Sequence, residues 1–277
     1  IRPGTGGLRR GAGHDIDAIT TVSGARDVIV DHCSLTWATD ENLSASGTRF
    51  VGATPDEWRA NVSHRITFSN NLLAEGLRHA THAKGEHSKG SLIHDNSTDI
   101  LIVGNLYAHN YERSALFKGG TRAQFLNNLI YDPGQRAVHY NLVDEEWAEH
   151  LGEKQVGELS LRGNVLRAGP STEPLAFFMF GGSGDVRVHL DDNLAVDRIG
   201  EPLPLTGRYS TSRAAMIPLR AAPPLPQGVR LLAAADVQDA VLANAGARPW
   251  DRDDIDRRIL ANVVEGRGAI IDHESEV

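Results

Sequence analysis

The chain has 277 residues, of which 40% are hydrophobic and 23% charged, a composition typical of a globular protein and not of a disordered or fibrous one. Its formal net charge of −8 argues against nucleic acid or an anionic membrane as a partner held by overall charge. The single cysteine, Cys33, excludes an intramolecular disulfide, and no apolar run approaches the roughly 18 residues of a membrane span.

A short phrase recurs six times in the first 200 residues. It consists of two alternating apolar residues, two spacers, a small polar residue and further apolar residues. The copies are VIVDHCSL (28–35), ITFSNNLL (66–73), ILIVGNLY (100–107), AQFLNNLI (123–130), LSLRGNVL (159–166) and VHLDDNLA (188–195). Their polar positions lie 38, 34, 23, 36 and 29 residues apart, which indicates one repeated unit with loop insertions. We predict an all-β parallel solenoid, in which the short strands of each turn pair with those of the turns on either side.

The polar position of the phrase is Cys33 in the first copy and Asn in the other five. We expect this Asn to take the left-handed backbone conformation at a corner and to hydrogen-bond the same corner of the next turn. A sandwich or barrel with Asn in its hairpins is the alternative. Hairpin turns favour Asn-Gly, whereas here Leu or Val follows Asn, so the pattern favours the solenoid.

Three insertions interrupt the repeat, and solenoids often collect such loops on the face that binds a ligand. They are residues 44–63, 74–91 and the acidic, helix-forming stretch 141–156. The phrase stops after residue 200, so we divide the chain into a coil, 1–200, and a tail, 201–277. Within the tail we expect an extended proline-rich segment over 217–226 and a short helix over 236–249.

Acidic residues cluster near the beginning of the chain. Asp15 and Asp17 have strand spacing, which places them on one face, and Asp40 and Glu41 follow the next copy of the phrase. Carboxylates that converge from neighbouring turns repel one another unless a hard cation such as calcium neutralises them. These residues are therefore candidate calcium ligands.

Histidines and basic residues cluster in the middle of the chain. Arg113 lies eight residues after Asn105 and Lys89 eighteen after Asn71, so neighbouring turns bring both to one lateral surface. Five of the twelve histidines fall within the same region: His79, His82, His87, His94 and His109.

Two other polar pairs are better explained by structure than by chemistry. Asp31 and His32 fit a corner of the coil, and Asp191 and Asp192 fit a turn before the last copy's Asn. The second pair also leaves open a glycoside hydrolase, whose acid and base flank the scissile bond.

Four blocks together resemble the pectate lyases of polysaccharide lyase family 1. The most specific stretches are VDHCSLTWATDE and KGEHSKGSLI, and the blocks span residues 17–44, 70–93, 104–140 and 243–272. The resemblance implies a right-handed parallel β-helix and calcium-assisted β-elimination in polygalacturonate, an acidic polysaccharide. It also implies a monomer that is secreted, periplasmic or on the cell surface, and that here lacks the family's first turns.

The resemblance assigns roles to particular basic residues. The family's R-x-P-x-x-R stretch matches RSALFK, which makes Arg113 the base and replaces the proline and second arginine by Ala115 and Lys118. Lys118 keeps the positive charge for a substrate carboxylate but loses the bidentate fork of arginine. The family's carboxylate-contacting lysine matches Lys89. Further substrate contacts are expected from its neighbours in the same block, His87 and Lys84.

The resemblance also assigns the calcium ligands. They match Asp17 and Asp40 best, with Asp15 and Glu41 as further candidates, while Ser44 stands where some members have another carboxylate. A non-catalytic carbohydrate-binding solenoid remains an alternative, because the replacements at 115 and 118 fall within the family's catalytic stretch.

Overall fold

The computed structural model describes all 277 residues and contains twenty short strands. In chain order they are β1 (Ile19–Thr21), β2 (Arg26–Asp31), β3 (Ser34–Thr36), β4 (Glu41–Ala45), β5 (His64–Ser69), β6 (Leu72–Ala74), β7 (Lys89–Ile93), β8 (Ile100–Val103), β9 (Leu106–Ala108), β10 (Leu116–Lys118), β11 (Arg122–Leu126), β12 (Leu129–Tyr131), β13 (Val138–Leu142), β14 (Gly157–Arg162), β15 (Val165–Arg167), β16 (Phe178–Gly182), β17 (Val186–Asp191), β18 (Leu194–Val196), β19 (Thr206–Arg208) and β20 (Met216–Pro218). Neighbouring strands within each sheet pair in parallel.

The chain visits three sheets in turn and returns to each one a strand further along. The first sheet has the order β1-β4-β7-β10-β13-β16-β19, the second β2-β5-β8-β11-β14-β17-β20, and the third β3-β6-β9-β12-β15-β18. This is a right-handed parallel β-helix, as predicted. The coil continues past residue 200, because β19 and β20 extend the first and second sheets.

Helices occur in the insertions and in the tail. They are α1 (Pro55–Asn61), α2 (Asp144–Trp147) followed by a 3-10 segment (Ala148–Glu153), α3 (Ala234–Asn244), α4 (Asp254–Glu265) and a second 3-10 segment (Glu274–Glu276). The predicted tail helix corresponds to α3, whereas α4 was not anticipated. Asp253 caps the beginning of α4 and Gly266, at φ 69°, ends it. None of the helices combines the length and apolarity that a membrane crossing demands.

Apolar side chains from successive turns stack inside the coil. The register places Val30, Phe68, Ile102, Phe125 and Leu161 one above another along the second sheet. All five belong to a single buried core. Because each strand contributes the same inward positions, the apolar residues of the repeated phrase account for much of this core.

A ladder of buried asparagines runs along the corner between the second and third sheets. Each side-chain oxygen accepts the backbone N–H of the equivalent residue one turn earlier, at 2.9–3.1 Å. Each side-chain amide donates to the carbonyl of a strand in the preceding turn, at 2.8–2.9 Å or, for the middle member, 3.0 Å. The members are Asn71, Asn105, Asn128, Asn164 and Asn193, with Cys33 as the first backbone donor.

The left-handed backbone conformation falls one residue before each ladder position, so our expectation that the ladder Asn adopts it was wrong. The residues with positive φ are His32, Asn70, Gly104, Asn127, Gly163 and Asp192. The bend one residue earlier turns the ladder side chain into the stack, where it bonds the neighbouring turns. His32 and Asp192 are thus corner residues, as predicted.

The tail lies along the third sheet. Apolar residues of α3 and α4, among them Val237, Val241 and Ile259, share a buried cluster with strand residues such as Leu106 and Leu129. This packing covers the outer face of the third sheet and leaves that of the first sheet for the insertions.

Candidate active site

A polar cleft of about 190 Å³ lies over the outer face of the first sheet, where the three insertions meet. Leu92 and Leu116, from neighbouring strands, form its apolar floor. The remaining lining is charged or histidine: Asp40, Glu41, Arg49, Lys84, His87, His94, Arg113, Lys118 and Glu146. A lining of this kind suits an anionic or cation-bridged ligand better than an apolar one.

Strand pairing brings distant residues of the cleft together. Glu41 on β4 is the register partner of Lys89 on β7, and Lys89 in turn bridges to Glu112, next to Arg113. The backbone passes so closely here that a side-chain carbon on Gly90 would lie 2.5 Å from the Arg113 carbonyl oxygen. A glycine at position 90 therefore lets the two turns approach.

Arg113 points its guanidinium at the acidic residues. Its Nη1 forms an ion pair with Glu41, its Nε is buried without a partner, and 23% of its side chain is exposed. Burial lowers the pKa of Arg113 below its ordinary value, although the negative charges of Asp40, Glu146 and Asp17 oppose this shift. Arg113, the predicted base, thus lies beside the predicted calcium ligands.

Asp17 converges with Asp40 and Glu41, which line the cleft. One carboxylate oxygen from each lies within 4.8 Å of the others, and Asp17 Oδ1 accepts the Glu41 backbone N–H at 2.9 Å. Burial, followed by the charge of Asp40, raises the pKa of Asp17 to about 7. Clustered carboxylates with this mutual repulsion provide the oxygen ligands and the charge that a calcium ion takes.

Asp40 also meets two histidines on its other side. His87 Nε2 lies 2.9 Å and His82 Nε2 3.7 Å from its carboxylate oxygens, and the two rings stack with centroids 3.6 Å apart. Burial raises the pKa of Asp40, but the hydrogen bond and charge of His87 outweigh it and leave the pKa below its ordinary value. His87 therefore contacts a predicted metal ligand as well as lining the cleft.

Asp15 lies apart from the other candidate ligands. The expectation that a strand would place it on one face with Asp17 was wrong, because β1 begins only at Ile19. Asp15 instead accepts the Ala83 backbone N–H at 3.0 Å and lies 3.8 Å from His82 Nδ1.

Lys89 is buried in an ion pair. Its Nζ contacts Glu112, which also accepts from Arg136 Nη1 at 2.6 Å. Burial raises the pKa of Glu112, but the positive charge of Lys89 outweighs it and lowers the pKa to about 2. In this conformation Lys89 has a carboxylate partner within the chain, and it is not among the residues that line the cleft.

Lys118 is paired as well, with a residue that the sequence analysis did not select. Glu146 of α2 contacts Lys118 Nζ, and Arg49 Nη2 lies 3.3 Å from the same carboxylate oxygen. Lys84, by contrast, is exposed and forms no ion pair. The acidic composition of 141–156 was the one sequence signal for Glu146, and nothing in the first insertion singled out Arg49.

Asp191 and Asp192 do not face this cleft. Asp191 is exposed at the end of β17, and Asp192 Oδ2 accepts the Ala234 backbone N–H at the beginning of α3, at 2.8 Å. Asp192 therefore joins the coil to the tail and lies in the turn, in agreement with its structural interpretation, whereas Asp191 ends the strand.

A buried histidine beside Glu112 should make the fold sensitive to acid. Burial lowers the pKa of His139 to about 3, and Glu112, Arg136, Arg113 and Lys89 are the charged groups around it. Below pH 6.5 the unfolded chain binds a proton that the folded chain does not. Unfolding free energy is thus expected to fall by up to about 1.4 kcal/mol per pH unit between about 6.5 and 3.

Urea unfolding of wild type and His139→Gln at pH 7 and pH 5 checks this prediction. The variant should lose less stability than wild type on acidification. His14→Gln is a suitable control, because the His14 side chain makes no hydrogen bond. Equal losses in wild type and His139→Gln would contradict the prediction.

Comparison with known proteins relates the chain to pectate lyases. It is 30% identical over 161 residues to a probable pectate lyase C of Aspergillus terreus, covering 58% of this chain and 30% of that protein. It is 27% identical over 186 residues to a probable pectate lyase C of Neosartorya fischeri, covering 67% and 36%. The resemblance predicted from the sequence is thus confirmed by relatives of that name. The chain spans about a third of the length of these curated relatives.

Solved structures and family models add less. A doubly substituted variant of a pectate lyase from Xanthomonas campestris aligns with a TM-score of 0.49 and 12% identity, over 88% of this chain and 76% of that one. No protein-family model matches the chain.

Proposed function

We propose that the chain carries the active site of a polysaccharide lyase that cleaves an acidic, pectate-like polymer by calcium-assisted β-elimination. The observation that carries this proposal is that Arg113 meets Asp40 and Glu41 in one polar cleft, with Asp17 beside these two carboxylates. The related pectate lyases support the same class of reaction.

Elimination needs a base beside carbon-5 of a uronate. The base takes the carbon-5 proton, the freed electron pair forms the carbon-4 to carbon-5 double bond, and the glycosidic oxygen leaves carbon-4 with its bonding electrons and is then protonated. We assign the base to Arg113. A guanidinium ordinarily keeps its proton, and the burial that lowers its pKa makes the neutral form more accessible.

The carboxylates Asp17, Asp40 and Glu41 would hold the calcium ion, and their mutual repulsion supports this role. When bound, the ion neutralises the substrate carboxylate and stabilises the negative charge that develops beside it. Asp15 would become a ligand of the ion only by moving away from its contact with Ala83.

Basic residues would hold the substrate carboxylates. Lys118 and the unpaired Lys84 line the cleft directly, as does His87. Lys89 would bind a substrate carboxylate only after its ion pair with Glu112 opens or is shared with that carboxylate. A polymeric substrate of this kind lies outside cells, so we propose extracellular action by a single chain.

Calcium removal tests the proposal. On polygalacturonate, absorbance from the unsaturated product should rise with calcium and fall more than about tenfold after chelation, because the carboxylate cluster then repels the substrate. Returning calcium should restore the rate. Asp40→Asn should need more than about tenfold more calcium for half-maximal rate, because it removes one charged ligand.

Asp56→Asn is the matched control, since Asp56 is exposed and belongs to α1, away from the cluster. An undiminished rate under chelation would contradict the calcium role. New reducing ends without ultraviolet absorbance would indicate a glycoside hydrolase, and binding without turnover would indicate a non-catalytic carbohydrate-binding solenoid.

A further inference from the structure

We propose that Glu146 determines how strongly the cleft discriminates between charged and esterified uronates. Its carboxylate forms an ion pair with Lys118, the cation that a substrate carboxylate would bind. The inference rests on the proposed function and concerns the substrate preference of the same cleft. It makes Glu146 a specificity-determining residue.

The contact itself is close and largely shielded from water. Glu146 pairs with Lys118, whose side chain is 7% exposed, while that of Glu146, which lines the cleft, is 34% exposed. Arg49 Nη2 reaches the same carboxylate at 3.3 Å. Burial raises the pKa of Glu146, but the hydrogen bond and charge of Lys118 outweigh it and lower the pKa, so the group is ionised at neutral pH.

Helix α2, in the third insertion, holds Glu146 in this position. Trp147, its neighbour on α2, is fully buried between Trp58 and Phe50, with ring centroids 6.3 and 5.0 Å away. The Trp147 indole N–H donates to Asp95 at 2.8 Å. Glu146 is therefore held by a packed anchor next to it, and its carboxylate stays at the cleft.

Each cation assigned to the active site, other than Lys84, has a carboxylate partner within the chain. Arg113 pairs with Glu41 and Lys89 with Glu112. Those two acids belong to the coil, and Glu41 is also a candidate metal ligand. Glu146 differs because it comes from an insertion, so it can be neutralised without removing a residue of the coil or a ligand of the metal cluster.

Glu146 should affect the binding of charged and esterified sugars differently. A uronate carboxylate that approaches Lys118 must displace Glu146 or share its partner, and it is repelled by the negative charge. A methyl-esterified uronate has no net charge and avoids that repulsion. Neutralising Glu146 should therefore favour the charged sugar alone.

The test measures binding of digalacturonate and of its methyl ester by calorimetry, at low salt and without calcium. Glu146→Gln should bind digalacturonate about tenfold more tightly than wild type and the ester with unchanged affinity. Glu145→Gln is the matched control, because Glu145 is the exposed neighbour and forms no ion pair.

A double-mutant cycle with Lys118→Gln protects the test against unrelated changes. In the Lys118→Gln background, neutralising Glu146 should give a smaller selective gain, which comes from Arg49 on the same carboxylate and from the loss of the negative charge. Thermal unfolding of each variant confirms that it folds. The inference is overturned if Glu146→Gln matches Glu145→Gln, or if it tightens acid and ester equally.

The same variants separate this inference from the proposed function. If wild type forms unsaturated product while Glu146→Gln shows no selective gain, the inference fails alone. If no polymer yields that product while the selective gain in binding is present, the lyase assignment fails and Glu146 still controls carboxylate binding.

Discussion

Arg113→Ala is expected to slow formation of the unsaturated product by about 10²- to 10⁴-fold, the usual contribution of a positioned general base. The reason is that no other arginine or lysine both lines the cleft and ion-pairs with the carboxylate cluster. The change should appear mainly in kcat, because the role we propose for the arginine is to take the carbon-5 proton in the transition state.

Removing Arg113 also leaves Glu41 without its ion pair, so the loss of charge must be separated from the loss of the base. Arg113→Lys keeps a positive charge beside Glu41 and should restore stability more than rate. Arg122→Ala is the control, because Arg122 is an exposed residue on the second sheet. A full rate in Arg113→Ala would show that another group takes the proton.

Asn128→Ala is expected to lower the free energy of unfolding by about 3–5 kcal/mol, because it leaves several buried polar groups unpaired. The Asn128 oxygen accepts the backbone N–H and the side-chain amide of Asn105, both at 3.0 Å. Its amide donates to the Ile102 carbonyl at 3.0 Å and to Asn164 Oδ1 at 3.2 Å. Alanine can replace none of these bonds, and its site is too closed for water to reach freely.

Urea unfolding of Asn128→Ala and Asn244→Ala measures this effect. Asn244 is exposed on α3 and donates only to the Ala240 carbonyl within its own helix. Its replacement should change stability by no more than about 0.5 kcal/mol. Similar losses in the two variants would mean that the ladder adds little to the stability of the coil.

The cations at the active site are already neutralised by carboxylates of the chain, and this affects how a substrate would bind. Arg113, Lys89 and Lys118 each already hold a carboxylate of the chain, so the substrate binding that we propose would exchange ion pairs instead of filling free cationic sites. Such exchange gives a small net free energy per contact and depends on the charge of the incoming group. Affinity for the polymer should accordingly be sensitive to salt and to esterification.

The coil could be predicted from sequence because its constraints repeat. Every turn needs a buried amide at one corner and apolar residues on either side, so Asn71, Asn105 and Asn128 recur in the same phrase. The association of Arg113 with Asp17 and Asp40 could also be predicted, because the resemblance to pectate lyases selected the same residues.

Other features depended on contacts between segments that share no period. The position of the left-handed residue could not be read from Asn alone, because asparagine is compatible with both conformations. Asp15 contacts Ala83 and does not join the carboxylate cluster, in a segment that is not a strand. Glu146 reaches Lys118 only because Trp147 packs against residues of another insertion. The sequence by itself thus determined the repeating coil, since this follows from local periodicity, while the resemblance to pectate lyases selected its basic and acidic set. Only the tertiary structure decided which carboxylate neutralises which cation, because ion pairs between insertions depend on how those loops pack.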